Sequence, residues 1–394
     1  MSTFESRVQD HELQVRRLRS QDRPSELASA LNNLAVALGD VGRRQDALAL
    51  LEEAVTIRRH LADTNPNAYL PDLASSLNNL AVALGEVGRR QDALAVLEEA
   101  VTIRRHLADT NPNAYLPDLA SSLNNLGGNL MDTGRLNDAL AVLEEAVAIR
   151  RHLADTNPNA YLPDLASSLN NLGGNLMDTG RLNDALAVLE EAVTIRRHLA
   201  DTNPNAYLPD LASSLNNLGG NLMDTGRLND ALAVLEEAVA IRRHLADTNP
   251  NAYLPDLASS LNNLGTYLLT TGRTEDAIGT FSEATAAASQ LDAGSLRLTA
   301  ASGLGRALAS AGRASEALAA LRTALEFAVV GLGPDHPNTL ATRYNLALWT
   351  GQVGDADEAR QLFTDLLADQ TRILGPDHPN TLATRRLLGE VGGA

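Results

Sequence analysis

The chain has 394 residues, of which 44% are hydrophobic but only 3% aromatic, and its 32 basic against 49 acidic residues give a net charge of −17. An acidic balance disfavours nucleic acid as a partner, because phosphate binding needs a basic surface. Neither cysteine nor lysine occurs, which excludes disulfides, thiolate and Schiff-base chemistry, and the lysine of a phosphate-binding P-loop. The polar start and the absence of a long apolar run predict a soluble, cytoplasmic protein without a signal peptide.

A 46-residue segment dominates the chain. The residues from Leu119 to Asp164 recur almost unchanged from Leu165 and from Leu211, and other versions begin at Leu27, Leu73 and Leu257. A fixed period of this size is typical of repeat proteins, in which each unit packs only on its neighbours. The period predicts a binding scaffold rather than an enzyme.

The predicted elements begin with an amphipathic helix from about Phe4 to Arg19, which we interpret as a cap. In the third unit, the leucines are spaced as one stripe of a first helix: Leu119, Leu123, Leu126 and Leu130. Gly134 is expected to end this helix in a left-handed turn. A second helix is predicted from about Asn137 to Ala154.

The second helix is predicted to stop within Asp155 to Asn159. Asn and Asp favour turns, and Pro158 cannot continue a helix. The residues from Asn159 to Pro163 are then expected to form a linker. Pro163 would lie in the first turn of the next helix, where its missing N–H costs nothing.

The unit resembles a tetratricopeptide repeat, or TPR, in its Leu-Gly pair, its small residues and its Gly-Arg turn. In unit three the matching residues are Leu123, Leu126, Gly127, Leu130, Ala139, Leu143 and Ala146. A standard repeat has about 34 residues, so this is a long variety. The segment from Gly333 to Thr342 recurs at Gly375 to Thr384, which is similar to kinesin light chains and bacterial repeat proteins. The resemblance implies an all-α, right-handed superhelical solenoid of antiparallel helix pairs.

Four regions are predicted along this solenoid. Residues 1–24 form an N-terminal capping helix, and residues 25–264 hold the near-identical units, five full ones and the first helix of a sixth. Residues 265–332 hold the divergent units six and seven. Residues 333–394 hold unit eight, marked by Asn345, Gly354 and Ala359, and a C-terminal capping helix. This gives eight helix pairs and two caps.

The resemblance also implies a binding surface, since first helices of the family line a concave groove. Carried over residue by residue, the groove positions of units two to five are Asn78, Asn124, Gly128, Met131, Asp132, Asn170, Gly174, Met177, Asp178, Asn216, Gly220, Met223 and Asp224. Units one and two instead carry Val36 and Val82 at the Gly128 position, and Asp40 and Glu86 at the acidic one.

Each residue type in this stripe has a binding interpretation and a plain one. An Asn side chain offers one acceptor and two donors, which matches a peptide group, but duplication could equally have copied a solvated residue. The second Asn of each pair, such as Asn125, is expected to bond between helices. Gly128 exposes backbone to a ligand and Met131 adapts to varied surfaces, although both could be copied drift.

Other motifs are assigned structural roles. The repeated Arg-Arg-His, first at Arg58 to His60, could bind RNA or acidic peptides, but basic residues in a last helical turn offset the helix dipole. Repeats stand too far apart for two of the histidines to share a metal. Asp335-His336 and its copy predict turn and N-cap chemistry. The groove also lacks the Lys and Arg of a carboxylate clamp, so that specificity is not carried over.

The sequence therefore predicts a non-enzymatic scaffold without metal or cofactor. It would bind a basic or neutral protein segment in an acidic, Asn-lined groove. Two alternatives stay open: the sensor or scaffold part of a larger bacterial signalling, ATPase or protease system, and a self-associating structural rod.

Overall fold

The computed structural model describes residues 3–291, 294–352 and 355–391, which fold into helices joined by short turns and contain no strand. Gly354, predicted to mark unit eight, lies outside the described residues. The helices are α1 (Thr3–Arg19), α2 (Pro24–Asp40), α3 (Arg44–Thr64), α4 (Pro66–Glu86), α5 (Arg90–Thr110), α6 (Pro112–Asp132), α7 (Leu136–Thr156), α8 (Pro158–Asp178), α9 (Leu182–Thr202), α10 (Pro204–Asp224), α11 (Leu228–Thr248), α12 (Pro250–Thr270), α13 (Thr274–Ser289), α14 (Gly294–Ser310), α15 (Ala314–Leu332), α16 (Pro337–Gln352), α17 (Ala356–Ile373) and α18 (Pro379–Val391).

The helices group into two compact units, Met1–Ile195 and Arg196–Ala394. Within each unit consecutive helices pack on one another, as α6 packs on α7 and α14 on α15, and first helices of neighbouring repeats also touch, as α4 touches α6 and α12 touches α14. This is the packing of an α-solenoid, in which pairs stack side by side. The prediction of an all-α array of helix pairs is confirmed.

The predicted leucine stripe forms the core. Leu123 and Leu143 are completely buried, as is Ala146. Gly127 lets the two helices of a pair approach, because a Cβ on this residue would lie 2.5 Å from Leu143 Cδ2. Small residues at the crossing therefore set how closely the helices pack.

The turn after α6 follows the prediction. Gly134 has a φ of 77°, a left-handed conformation that costs Gly nothing. The Arg135 N–H donates to the Leu130 carbonyl at 2.8 Å, and the Gly134 N–H donates to the Met131 carbonyl at 2.9 Å. Carbonyls at the helix end are thereby satisfied.

The predicted linker between repeats is wrong. α7 ends at Thr156 and α8 begins at Pro158, so Asn157 alone joins them. Its side chain accepts a hydrogen bond from the Ala160 N–H at 3.3 Å, which caps α8. Asn159 to Pro163 form the first turns of α8. Pro163 thus lies inside the helix, where it deletes one backbone hydrogen bond.

The predicted N-terminal cap is α1, which packs on α2 through the buried side chains of Val8, Val15 and Leu18. Among the described residues, no helix combines the length and apolar character needed to span a membrane.

Candidate partner-binding surface

The first helices share one exposed stripe on the side away from the leucines. In α6 it runs through Asp118, Ser121, Asn125, Gly128 and Asp132, spaced 3, 4, 3 and 4, all exposed or half-buried. These spacings keep the residues on one helix face. We call the surface formed by this stripe and its equivalents in each unit the first-helix face.

The prediction placed a hydrogen bond between helices on the second Asn of each pair, whereas in units one, two, three and five the structure places one on the first Asn. The first Asn bonds between repeats, where its amide donates to a buried Ser of the next first helix, as Asn124 does to Ser168 Oγ at 3.0 Å. The same bond joins Asn32 to Ser76, Asn78 to Ser122 and Asn216 to Ser260, each at 2.7 Å. The second Asn, at 125, 171 and 217, is exposed instead.

The predicted groove glycines Gly128 and Gly174 have open space where a side chain would lie. Gly128 would accept a Cβ without meeting any atom within 4 Å, and the nearest atom to a Cβ on Gly174 is Met131 Cε at 3.7 Å. These glycines and Gly220 are half-buried, as are Met131 and its copies at 177 and 223. Unlike Gly127, Gly128 has no packing reason to lack a side chain.

The acids that end the first helices of units one to five are all exposed. Glu86 approaches Arg44 at 3.7 Å and Asp132 approaches Arg90 at 3.9 Å, distances too long for a close hydrogen-bonded pair. In α7, α9 and α11 Leu replaces this Arg. Asp178 therefore lacks even this distant partner, and the negative charge at the ends of these helices is weakly compensated.

A depression of about 290 Å³ opens on this face between α2 and α4. Val36 and Val82, 52% and 55% exposed, form its apolar part. Asp40, Glu86 and Asn79 form its polar part. The depression combines apolar area with acceptors of one sign of charge, which suits a chain segment that carries a cation.

The Arg-Arg-His motif is a tie between repeats, and its dipole explanation is wrong, because α7 continues six residues beyond Arg150. Arg150 is buried and donates to the Asp164 carbonyl at 2.6 Å, to Ser168 Oγ at 2.9 Å and to Ser121 Oγ at 3.1 Å. Burial lowers its pKa from the ordinary value. The next residue, Arg151, pairs with Glu191 at 2.5 Å. These guanidinium groups are therefore occupied within the protein.

The histidines serve ends of helices or lie in solvent. His336 Nδ1 accepts the Asn338 N–H at 3.1 Å, and His378 Nδ1 accepts the Asn380 N–H at 3.2 Å, which confirms the predicted cap chemistry. The histidines of the Arg-Arg-His motif are exposed. No group of three or more potential metal ligands occurs among the described residues.

Sequence reasoning missed one buried polar residue. Asn175 is fully buried and donates to the Leu136 carbonyl at 3.0 Å, which joins α8 to the preceding second helix. The first units carry Ala37 and Ala83 at this position. That change from Ala to Asn within near-identical repeats was the available signal.

This architecture defines a helical repeat scaffold whose exposed face is built from repeated positions. The sequence profile of the tetratricopeptide repeat family matches residues 26–106, 118–198, 164–244, 210–290 and 296–369. The chain belongs to the tetratricopeptide repeat family. Members of this family are non-catalytic scaffolds that generally mediate protein–protein interaction.

Solved structures share the fold. A signal transduction ATPase with a tetratricopeptide repeat sensor from Pyrococcus horikoshii is 14% identical, with a TM-score of 0.57 over 98% of this chain and 54% of that chain. BtubC from P. vanneervenii is 21% identical, with a TM-score of 0.51 over 62% of this chain and 94% of that chain. A putative kinesin light chain from Podosopora anserina is 24% identical, with a TM-score of 0.46 over 52% and 94%. No curated protein matches the chain.

Proposed function

We propose that the chain binds an extended segment of a protein partner along the first-helix face. The observation that carries this proposal is the repeated exposed stripe. Asn in mid-helix and Gly at position 128 both disfavour a helix relative to Ala, by about 0.7 and 1 kcal/mol at most. In return, a Cβ at Gly128 would meet no atom within 4 Å, and the exposed Asn125 side chain makes no hydrogen bond with the described residues. Selection for an external contact accounts for residues that the fold does not need.

The Asn that contacts the partner is then Asn125 rather than Asn124, which the sequence predicted. The amide N–H₂ of Asn124 already donates to Ser168, so the exposed Asn125 is the better candidate for a partner's peptide group. Gly128 gives the partner backbone access, and Met131 borders it.

The charge of the face favours a basic or neutral partner. Asp132 and Asp178 are exposed, and the arginines that follow them in sequence, Arg135 and Arg181, pair with Asp138 and Asp184 instead. We expect association to weaken with added salt, because exposed charges are screened beyond about 8–10 Å at 0.1–0.15 M. We expect neither nucleic acid nor membrane as a partner, and cytoplasmic location fits this role.

The experiment is a selection of phage-displayed random nine-residue peptides on the full chain. The peptides that bind are then tested against the triple variant Gly128→Leu, Gly174→Leu and Gly220→Leu, which fills the face. Binding should fall at least tenfold, or about 1.4 kcal/mol. A matched variant, His106→Leu, His152→Leu and His198→Leu, adds three leucines at exposed positions of second helices and should bind normally.

Two outcomes would refute the proposal. One is that no peptide is enriched, and the other is that peptides bind both triple variants equally. A molar mass above that of the monomer, measured by light scattering at low micromolar concentration, would instead support the self-associating rod.

A second candidate is a sensor part of a larger signalling system. It is favoured by the similarity, over 98% of this chain, to an ATPase that carries a tetratricopeptide repeat sensor. A P-loop ATPase domain encoded beside this chain, and bound by it, would support this role.

A further inference from the structure

A second depression, of about 310 Å³, lies on the first-helix face of Arg196–Ala394. It opens between three successive first helices, α12, α14 and α16, and its floor includes Phe281. Hydroxyl and amide side chains line it: Asn262, Thr266, Thr299, Ser302, Asn338, Thr342 and Asn345. The lining contains one charged residue, Arg306. This depression therefore carries a positive charge, whereas the depression between α2 and α4 carries negative charges.

The guanidinium of Arg306 is exposed and takes part in no hydrogen bond or ion pair with the described residues. This is unusual in the protein, where arginines of second helices pair with acids, as Arg243 pairs with Glu283 at 2.6 Å. Arg17, on the exposed side of α1, shares this lack of a partner among the described residues. Arg306 occupies the position that Gly128 has in unit three.

Asn262 also lines this depression, and it comes after the last Asn–Ser hydrogen bond between first helices, the one from Asn216 to Ser260. Its counterpart Asn216 donates to Ser260, but the residue at the corresponding place in α14 is Ala300, which has no hydroxyl. Asn262 is only 7% exposed, and neither its Nδ2 nor its Oδ1 has a hydrogen-bond partner. A buried amide without a partner is costly, so a ligand that supplies one is favoured.

We infer that this depression receives the carboxylate of an Asp or Glu side chain from a partner segment. Arg guanidinium groups bind carboxylates through two parallel N–H···O bonds. The hydroxyl of Ser302 can donate to a remaining lone pair, and rotation of the Asn262 side chain brings its amide toward the same carboxylate. A side chain fits better than a chain end, because first helices lie on both sides of the depression and a bound segment continues past it.

The inference rests on the proposed function, since it names the chemistry that the first-helix face recognises at one place. It also refines the expectation of a basic or neutral partner. A basic segment would suit Asp40 and Glu86, whereas the part that reaches Arg306 carries an acid.

The test uses the same peptide selection, because displayed peptides fused to the coat protein have no free C-terminal carboxylate. Peptides that bind the full chain should be enriched in Asp or Glu at one position. One such peptide is synthesised with both ends capped, in a Glu and a Gln version. The Glu version should bind the unchanged chain at least tenfold more tightly, and the preference should vanish on Arg306→Gln. Arg17→Gln removes the same charge away from the face and should keep the preference.

The variant Ala300→Ser tests separately whether Asn262 contributes to carboxylate binding. The new hydroxyl offers the Asn262 amide the partner found in the other repeats, so this variant should melt at a higher temperature and bind the Glu peptide severalfold more weakly. Unchanged affinity together with the higher melting temperature would show that Asn262 takes no part in binding.

The outcomes separate the two proposals. Enriched peptides without an acidic preference, or an acidic preference that survives Arg306→Gln, overturn the carboxylate site while the proposed function stands. Enrichment of no peptide overturns both.

Discussion

Two neighbouring glycines of α6 give a strict test of the packing described above. Gly128→Ala should stabilise the protein by about 1 kcal/mol, since Gly disfavours a helix interior by roughly 0.8–1.0 kcal/mol relative to Ala and a Cβ there meets no atom within 4 Å. Gly127→Ala gains the same propensity, but its Cβ would lie 2.5 Å from Leu143 Cδ2 and 2.6 Å from Cγ. Leu143 is fully buried, so it can move aside only by repacking its neighbours, and overpacking of about 1–3 kcal/mol should offset or exceed the gain.

The assay is urea unfolding of the full chain, followed by circular dichroism. Repeat arrays can lose two-state behaviour, so the midpoint of the first transition is compared rather than an extrapolated free energy. Gly128→Ala should raise this midpoint, and Gly127→Ala should leave it unchanged or lower it. The expected difference in stability between the two variants is about 1–3 kcal/mol. The reasoning is refuted if the two variants shift the midpoint equally, or if Gly128→Ala lowers it.

Two further predictions use matched neighbours or charge. Arg150→Ala should destabilise the protein by about 3 kcal/mol, because it leaves buried polar groups without a hydrogen-bond partner. Arg151→Ala removes an exposed ion pair and should cost under about 1 kcal/mol. Equal urea midpoints for the two variants would contradict this prediction. Hydrogen bonds from Arg372 hold the pKa of Asp335 below its ordinary value, and those from Arg343 and Arg372 do the same for Asp369. Their stabilisation is thus complete above the unfolded pKa of about 3.9 and is lost as pH falls through the lower folded values. Unfolding of the C-terminal helices below pH 4 should lose much of its pH dependence in Asp369→Asn, and an unaltered pH profile would refute the assignment.

The core and turns could be predicted from the sequence because they depend on local rules. The spacing of Leu119, Leu123 and Leu126 fixes one helix face, and Gly134 meets a conformational demand that few other residues meet. Those features need no knowledge of which repeat lies beside which.

The candidate surface could be predicted only in outline. Asn124 and Asn125 lie about 100° apart on the helix, and the crossing of neighbouring first helices decides which of them points to Ser168 and which to solvent. The partners of Arg150 and Arg151 lie in other helices for the same reason. The linker was mispredicted because Pro163 was interpreted as a helix start, whereas Pro158 already supplies one and α8 tolerates the second proline.

The Asn–Ser hydrogen bonds between repeats have a genetic consequence. Asn78 bonds to Ser122, and Asn124 bonds in the same way to Ser168, so each copy presents the same donor on one side and the same acceptor on the other. An in-frame loss or gain of one whole 46-residue copy through unequal recombination would join surfaces that already match. The number of copies can then change while the Asn–Ser bond between adjacent copies is kept, and the length of the first-helix face becomes a heritable variable set by copy count.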